Sequence, residues 1–184
     1  MSRTLQKTVA LVGMMGAGKT AVGTAMSRLL DAPFVDSDAE IVRAANLSIP
    51  EIFERYGEPY FREKESQVLS RLLDGTPSVL STGGGAFLAD RNRQMIAARG
   101  IAVWLRADLE LLWSRVRHKD TRPLLRTPDP KATLSELCAK REPAYSQAGV
   151  IVDADGRLSI EQMAQKVIAA LSVHGGVLGA EVEL

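Results

Sequence analysis

A single cysteine, two histidines and almost no excess charge mark this chain of 184 residues. The lone Cys138 excludes an intramolecular disulfide, and its neighbours Leu134, Leu137 and Arg141 fall at helical spacing, which predicts a buried or half-buried, inert thiol. A formal net charge of +1 excludes a general nucleic-acid or acidic-membrane surface, so any basic cluster must be local. There is no secretory apolar core near Met1 and no apolar run long enough to span a bilayer, so the expected setting is the cytoplasm, without membrane partners. Repeats and low-complexity stretches are also missing. What remains, 46% hydrophobic and 24% charged, is the composition of one globular domain with a sizeable core, expected to be a monomer.

The stretch TVALVGMMGAGKTAVG, residues 8 to 23, changes character abruptly. Thr8, Val9, Ala10, Leu11 and Val12 are apolar on both faces, the pattern of a short strand buried between parallel neighbours. From Thr20, an apolar stripe of Val22, Ala25, Met26, Leu29 and Leu30 follows helical spacing. The turn between them, Gly13-Met14-Met15-Gly16-Ala17-Gly18-Lys19-Thr20, matches the phosphate loop G-x-x-x-x-G-K-[ST] in its required strand-to-helix context. Such a loop can turn successive backbone N–H groups inward at the positive end of a helix. Lys19 is then placed to reach the β- and γ-phosphates, and the Thr20 hydroxyl to ligate magnesium.

Beyond this loop, strand-like runs alternate with helical patterns, which predicts an α/β fold with a parallel sheet. The expected strands are 8–12, 34–35, 79–81, 101–105 and 150–152. The expected helices are 19–31, 39–56, 59–74, 90–99, 108–118, 132–147 and 159–172. Right-handed crossovers would collect the strand-end loops along one edge, where ligands of open α/β sheets bind. Residues 174–184 show no periodicity and are expected to be frayed or loosely docked.

Five further features fall on or near that edge. Asp36 and Asp38 follow the second strand; Asp38 reads as a helix cap, a substrate-facing carboxylate, or both. Gly83, Gly84 and Gly85 follow the third strand and either expose backbone to a ligand or form a flexible turn. Arg62 lies four residues after Glu58, so an exposed intrahelical ion pair is its simplest explanation. The run WSRVRHKDTRPLLR, residues 113 to 126, gathers Arg115, Arg117, Lys119, Arg122 and Arg126 against Asp120 alone; Arg122-Pro123 suits a mobile basic lid better than a packed helix. Arg141 and Tyr145 close the series near the end of a helical pattern.

Taken in order, these motifs resemble the shikimate kinase family from about Thr8 to Leu171: the phosphate loop, DxD at Asp36 and Asp38, FRxxE at Phe61, Arg62 and Glu65, the glycines 83–85, RPLL at Arg122 to Leu125, and RxxxY at Arg141 and Tyr145. The resemblance implies ATP-dependent phosphorylation of the 3-hydroxyl of shikimate, in the synthesis of chorismate and the aromatic amino acids. It also implies a three-layer α/β/α fold with a five-stranded parallel sheet, like that of nucleoside monophosphate kinases. Residues 1–173 then form one domain, with the phosphate loop at 13–20, a substrate region at about 36–65 and a lid at about 115–128, and residues 174–184 form a flexible tail. By the same resemblance, Lys19, Asp38 and Arg122 are catalytic. ATP falls to Gly13, Met14, Met15, Gly16, Ala17, Gly18, Lys19 and Thr20, with Arg122 and with Arg115 (or, second, Arg117) against adenine. Shikimate falls to Asp38, Arg62, Gly83, Gly84, Gly85 and Arg141, and one magnesium ion to Thr20 and Asp36, the latter directly or through water. A gluconate kinase or another small-molecule kinase of this fold is the nearest alternative; a nucleotide-dependent switch is another, disfavoured because no N-K-x-D motif is present.

Overall fold

In a computed structural model, residues 2–119 and 122–182 are described. Asp120 and Thr121, within the expected lid, lie outside the described residues, as do Glu183 and Leu184 of the expected tail. Among the described residues, seven strands, β1 (Ser2–Leu5), β2 (Thr8–Val12), β3 (Phe34–Asp36), β4 (Val79–Ser81), β5 (Gly100–Arg106), β6 (Val150–Asp153) and β7 (Leu178–Val182), are interleaved with helices. These are α1 (Lys19–Leu29), α2 (Ser37–Ala45), α3 (Ile49–Leu73), α4 (Asp90–Arg99), α5 (Leu109–Val116), α6 (Pro130–Tyr145) and α7 (Ile160–Ser172). The main sheet is five-stranded and parallel, in the order β3-β4-β2-β5-β6. Strand β2 lies at its centre, and all five of its residues are buried, as apolarity on both faces requires. Right-handed connections of this strand order put α1 and α7 on one face and α3 and α4 on the other, and each of these helix pairs is in contact. The three-layer α/β/α expectation holds.

Strand order also sets where chemistry can occur. The chain leaves β2 for the edge strand β3, two places away, returns to β4 beside β2, and then passes β2 to reach β5 on its other side. The reversal opens a crevice beyond the carboxyl end of β2, and the phosphate loop lies there.

Several boundaries differ from the sequence reading. The expected helix 39–56 is two helices: Asn46 turns left-handed at φ 51 and ends α2, and Ser48 restarts the chain with a capping box to Glu51. Inside α3, Gly57 leaves helical geometry at φ 80 and ψ 173, just before Pro59. The tail is not frayed through 182, because β7 pairs antiparallel with β1, Ser2 opposite Val182 and Leu5 opposite Leu178. Period-based reading missed both strands, since neither carries an alternation strong enough to reveal a partner so distant in sequence. Asp36, and not Asp38, caps α2: its Oδ1 accepts from the Ala39 N–H at 3.0 Å, and Asp38 falls within the first turn. Helix α5 runs to Val116, so the irregular part of the expected lid begins at Arg117; Pro123–Leu125 form one 3₁₀ turn with Leu125 buried and Leu124 exposed. Cys138 is half-buried, and burial pushes its thiol pKa up, in keeping with an inert thiol. No helix among the described residues is long and apolar enough to cross a membrane.

Candidate active site

The phosphate loop runs from the buried end of β2 to the first turn of α1 through positive φ at Gly13, Gly16 and Gly18. The Lys19 ammonium folds back over it, donating to the Gly13 carbonyl at 2.8 Å and the Met14 carbonyl at 2.9 Å. Enclosure, together with the neighbouring Arg122 and Arg141 charges, lowers its pKa to about 8, against the opposing pull of Asp38 and Asp36. A cationic group held this way is poised for anions, which would restore its full charge. Arg115, in the last turn of α5, donates to the Gly16 carbonyl at 2.9 Å and so binds the loop from outside.

A cleft of about 590 Å³ opens beside the loop. Met15, Gly16, Ala17, Gly18, Lys19 and Thr20 form one wall, and Asp36, Asp38, Gly83 and Gly84 face them. Arg115 and Arg122 also border it. Three of the ATP expectations fall away from it, the first being Gly13, which is not among its lining residues. The Met14 side chain is buried, so that residue serves the loop with its carbonyl alone. Arg117 is exposed and does not line the cleft, which leaves Arg115 as the one of the two arginines that borders it beside the phosphate loop. Sequence reasoning missed Lys119, Ser159, Ile160 and Met163, which also line the cleft. Lys119 was visible only as part of the basic run; the start of α7 gave no signal beyond its Ser159–Gln162 capping box.

Around the glycine loop, three side chains converge on the three glycines. A Cβ on Gly83 would stand 2.7 Å from Asp38 Oδ1, one on Gly84 2.9 Å from Arg141 Nη1, and one on Gly85 2.5 Å from Arg62 Nη2. A side chain on any of these glycines would push one of these charged ends aside, so glycine here keeps the three groups close against the loop. The Tyr145 hydroxyl donates to the Gly84 carbonyl at 2.6 Å, and its ring packs on Trp104. Arg141 is buried one turn earlier on α6. Arg62 does pair with Glu58, at 3.4 Å, but its shorter bond is to Glu65 Oε1 at 2.9 Å. The Glu65 side chain is buried, and burial raises its pKa, opposed by the Arg62 charge.

The polar accounting of this region is incomplete without a ligand. Asp38 Oδ1 is buried with no hydrogen-bond partner among the described residues, and so is Arg122 Nε. Burial first, then the adjacent Asp36 charge, push the Asp38 pKa up, and Lys19 and Arg62 only partly oppose this. A half-buried carboxylate, two guanidinium groups and a partly accessible glycine backbone suit a small molecule bearing both a carboxylate and hydroxyls. For a metal, the described residues hold no group of three or more His, Cys, Asp or Glu side chains. Thr20 and Asp36 nonetheless offer hard oxygen donors in the cleft, and magnesium commonly takes few protein ligands and completes its shell with phosphate and water.

Comparison with known proteins agrees with this geometry. A family model described as shikimate kinase matches residues 15–172. A shikimate kinase of Ruegeria pomeroyi is 64% identical over 174 residues, covering 95% of this chain and 89% of that one. The structure of a shikimate kinase from Acinetobacter baumannii in complex with shikimate superposes with a TM-score of 0.85 at 38% identity, covering 92% of this chain and 94% of that one. A gluconokinase from Sinorhizobium meliloti covers 93% of this chain and 94% of its own with a TM-score of 0.60 but only 18% identity, so its likeness is one of fold alone. Given the matched model, the identities and the converging side chains around the phosphate loop, this chain belongs to the shikimate kinase family.

Proposed function

We propose that this enzyme moves the γ-phosphoryl group of ATP to the 3-hydroxyl of shikimate, with Lys19, Asp38 and Arg122 as its catalytic groups. The reaction class follows from the family; the observation that carries the residue assignment is the buried, unpartnered Asp38 Oδ1 facing Gly83 between Lys19 and Arg62. Arg62 and Arg141 would hold the carboxylate of shikimate, and the backbone of Gly83, Gly84 and Gly85 its ring face. Asp38 would accept a hydrogen bond from the 3-hydroxyl and then its proton, as that oxygen bonds to the γ-phosphorus and the bond to the β–γ bridging oxygen of ADP breaks. Lys19 and Arg122 would neutralise charge on the β- and γ-oxygens, and Arg115 would lie against adenine. Thr20 and Asp36 would hold one magnesium ion, which supplies further neutralisation between the two phosphates when bound. Positioning and fixed charge supply most of the acceleration in such a transfer. We extend the proposal to a monomer acting in the cytoplasm, where ATP is supplied.

The test is ADP release in the presence of ATP, magnesium and either shikimate or gluconate. Turnover with shikimate alone is expected. Turnover with gluconate and none with shikimate would overturn the reading, and slow hydrolysis indifferent to either acid would favour a nucleotide switch.

A further inference from the structure

Asn92, the third residue of α4, is fully buried and belongs neither to the nucleotide cleft nor to the glycine loop. A buried amide must have its bonds satisfied, and both are made to functional neighbours. Its Nδ2 donates to the Ala86 carbonyl at 2.8 Å, and its Oδ1 accepts from Ser66 Oγ at 2.7 Å. The orientation is forced, because exchanging the amide ends would set Oδ1 against the Ala86 carbonyl, oxygen on oxygen.

Both partners sit one step from the substrate groups. Ala86 directly follows Gly85, the glycine pressed against Arg62. Ser66 lies four residues after Arg62, one turn along the same face of α3. The chain Ser66–Asn92–Ala86 therefore spans from the helix carrying Arg62 to the loop carrying Gly85. The rest of the α4 amino end reinforces that span: Arg91 Nη2 donates to the Arg62 carbonyl at 3.2 Å, and Arg93 Nη1 donates to the Phe87 and Leu88 carbonyls at 2.8 Å each.

We propose that Asn92 is a positioning residue for the substrate carboxylate, setting the gap between the Arg62 guanidinium and the Gly85 backbone. It touches no substrate. The proposal rests on the reading of Arg62 as a ligand of the shikimate carboxylate. Loss of the amide frees the Ala86 carbonyl, turns the Ser66 hydroxyl back onto the Arg62 carbonyl of its own helix, 3.1 Å away, and so removes the side-chain link between helix and loop, while the phosphate loop, anchored on β2, stays in place.

The experiment compares wild type, Asn92→Ala and Ser66→Ala for kcat, for KM toward shikimate and ATP, and for melting temperature. Asn92→Ala is expected to raise the shikimate KM roughly tenfold and to leave the ATP KM within about twofold; Ser66→Ala should act in the same direction but less. A rise of both KM values by the same factor, or a loss of kcat and folded fraction with the shikimate KM unchanged, would make Asn92 merely structural and overturn the proposal. If Asn92→Ala does not fold, Ser66→Ala decides, and an unchanged shikimate KM in that variant overturns it. Wild-type protein that hydrolyses ATP but does not phosphorylate shikimate would defeat the reading of the site, and the proposal with it, an outcome separate from normal turnover with an unshifted KM.

Discussion

The Asp38 carboxylate is held half-buried beside Asp36, and both conditions raise its pKa above the usual carboxylate range. By linkage, a carboxyl whose folded pKa is raised favours the folded state at low pH and loses that contribution as pH rises through the folded pKa. At neutral pH the ionised group is therefore a cost to stability. Asp38→Asn should raise the melting temperature at pH 7, the gain shrinking as pH falls toward the ordinary aspartate range, while turnover drops by roughly a hundredfold to ten-thousandfold because an amide cannot take the hydroxyl proton. Thermal melts across pH beside single-turnover assays check both halves; equal melting with wild-type turnover would remove Asp38 from the reaction. Lys19 presents the opposite sign. With a pKa near 8, about half of the free protein carries a neutral Lys19 at that pH, and phosphate oxygens would draw the proton back. ATP binding at pH 8 should therefore take up a fraction of a proton, read by calorimetry in buffers of different ionisation heat. Lys19→Met should abolish the uptake and lower turnover by roughly a hundredfold or more.

Among the elements, α2 and α3 are the ones whose details the function depends on most. Asp36 ends β3 and caps α2, so it has a structural duty that Asp38 lacks. Asp36→Ala should cost about 1 kcal/mol in denaturant unfolding, and Asp36→Asn almost nothing, since asparagine caps as well as aspartate. Both changes should raise the magnesium concentration needed for turnover; an unaltered requirement in Asp36→Asn would leave Asp36 as a cap only. In α3 the break at Gly57 lies at φ 80 and ψ 173, a region closed to residues with a side chain, although the space around it is open. Gly57→Ala is therefore expected to lose about 1 to 3 kcal/mol of stability through backbone strain and not through a clash. An unfolding titration showing no loss would mean the segment can straighten into continuous helix.

Across the whole molecule, apolar packing is divided unevenly. The large core runs from β2 through both helical layers, whereas Ile41, Ile52, Phe61 and Val68 form a small cluster of their own between α2 and α3. That small cluster lies beneath the segment carrying Asp38, Arg62 and Glu65. With fewer buried contacts to lose, α2 and the first half of α3 should open at lower free energy than the central sheet. Hydrogen exchange should show these segments exchanging faster than β2 and β5 in the free protein, and shikimate should slow them more than ATP does. Uniform protection across both clusters would contradict this.

Local chemistry made much of this legible beforehand. The run Thr8–Val12 could only be a buried strand, the glycine–lysine turn after it carries its own geometric demands, and the strand–helix alternation implies a parallel sheet whose ligands gather at one edge. These are consequences of residue type and short spacing. Strands β1 and β7 escaped because their pairing joins the two ends of the chain, and no local period reveals a partner so far away. The role of Asp36 as cap was decided by where β3 actually ends, a boundary that single-residue changes in spacing leave open. Glu58 is a partner for Arg62 that spacing along one helix suggests, and it is present; the greater weight of buried Glu65 follows from the packing of α3, which spacing cannot convey. Likewise the glycines 83–85 read equally as a turn or a contact surface until the fold brought Asp38, Arg141 and Arg62 against them from three different helices. The sequence by itself determined the fold class and the phosphate loop, because those depend on local preferences; only the tertiary structure decided which carboxylate is left unpaired, because burial and distance between remote residues exist only once the chain has packed.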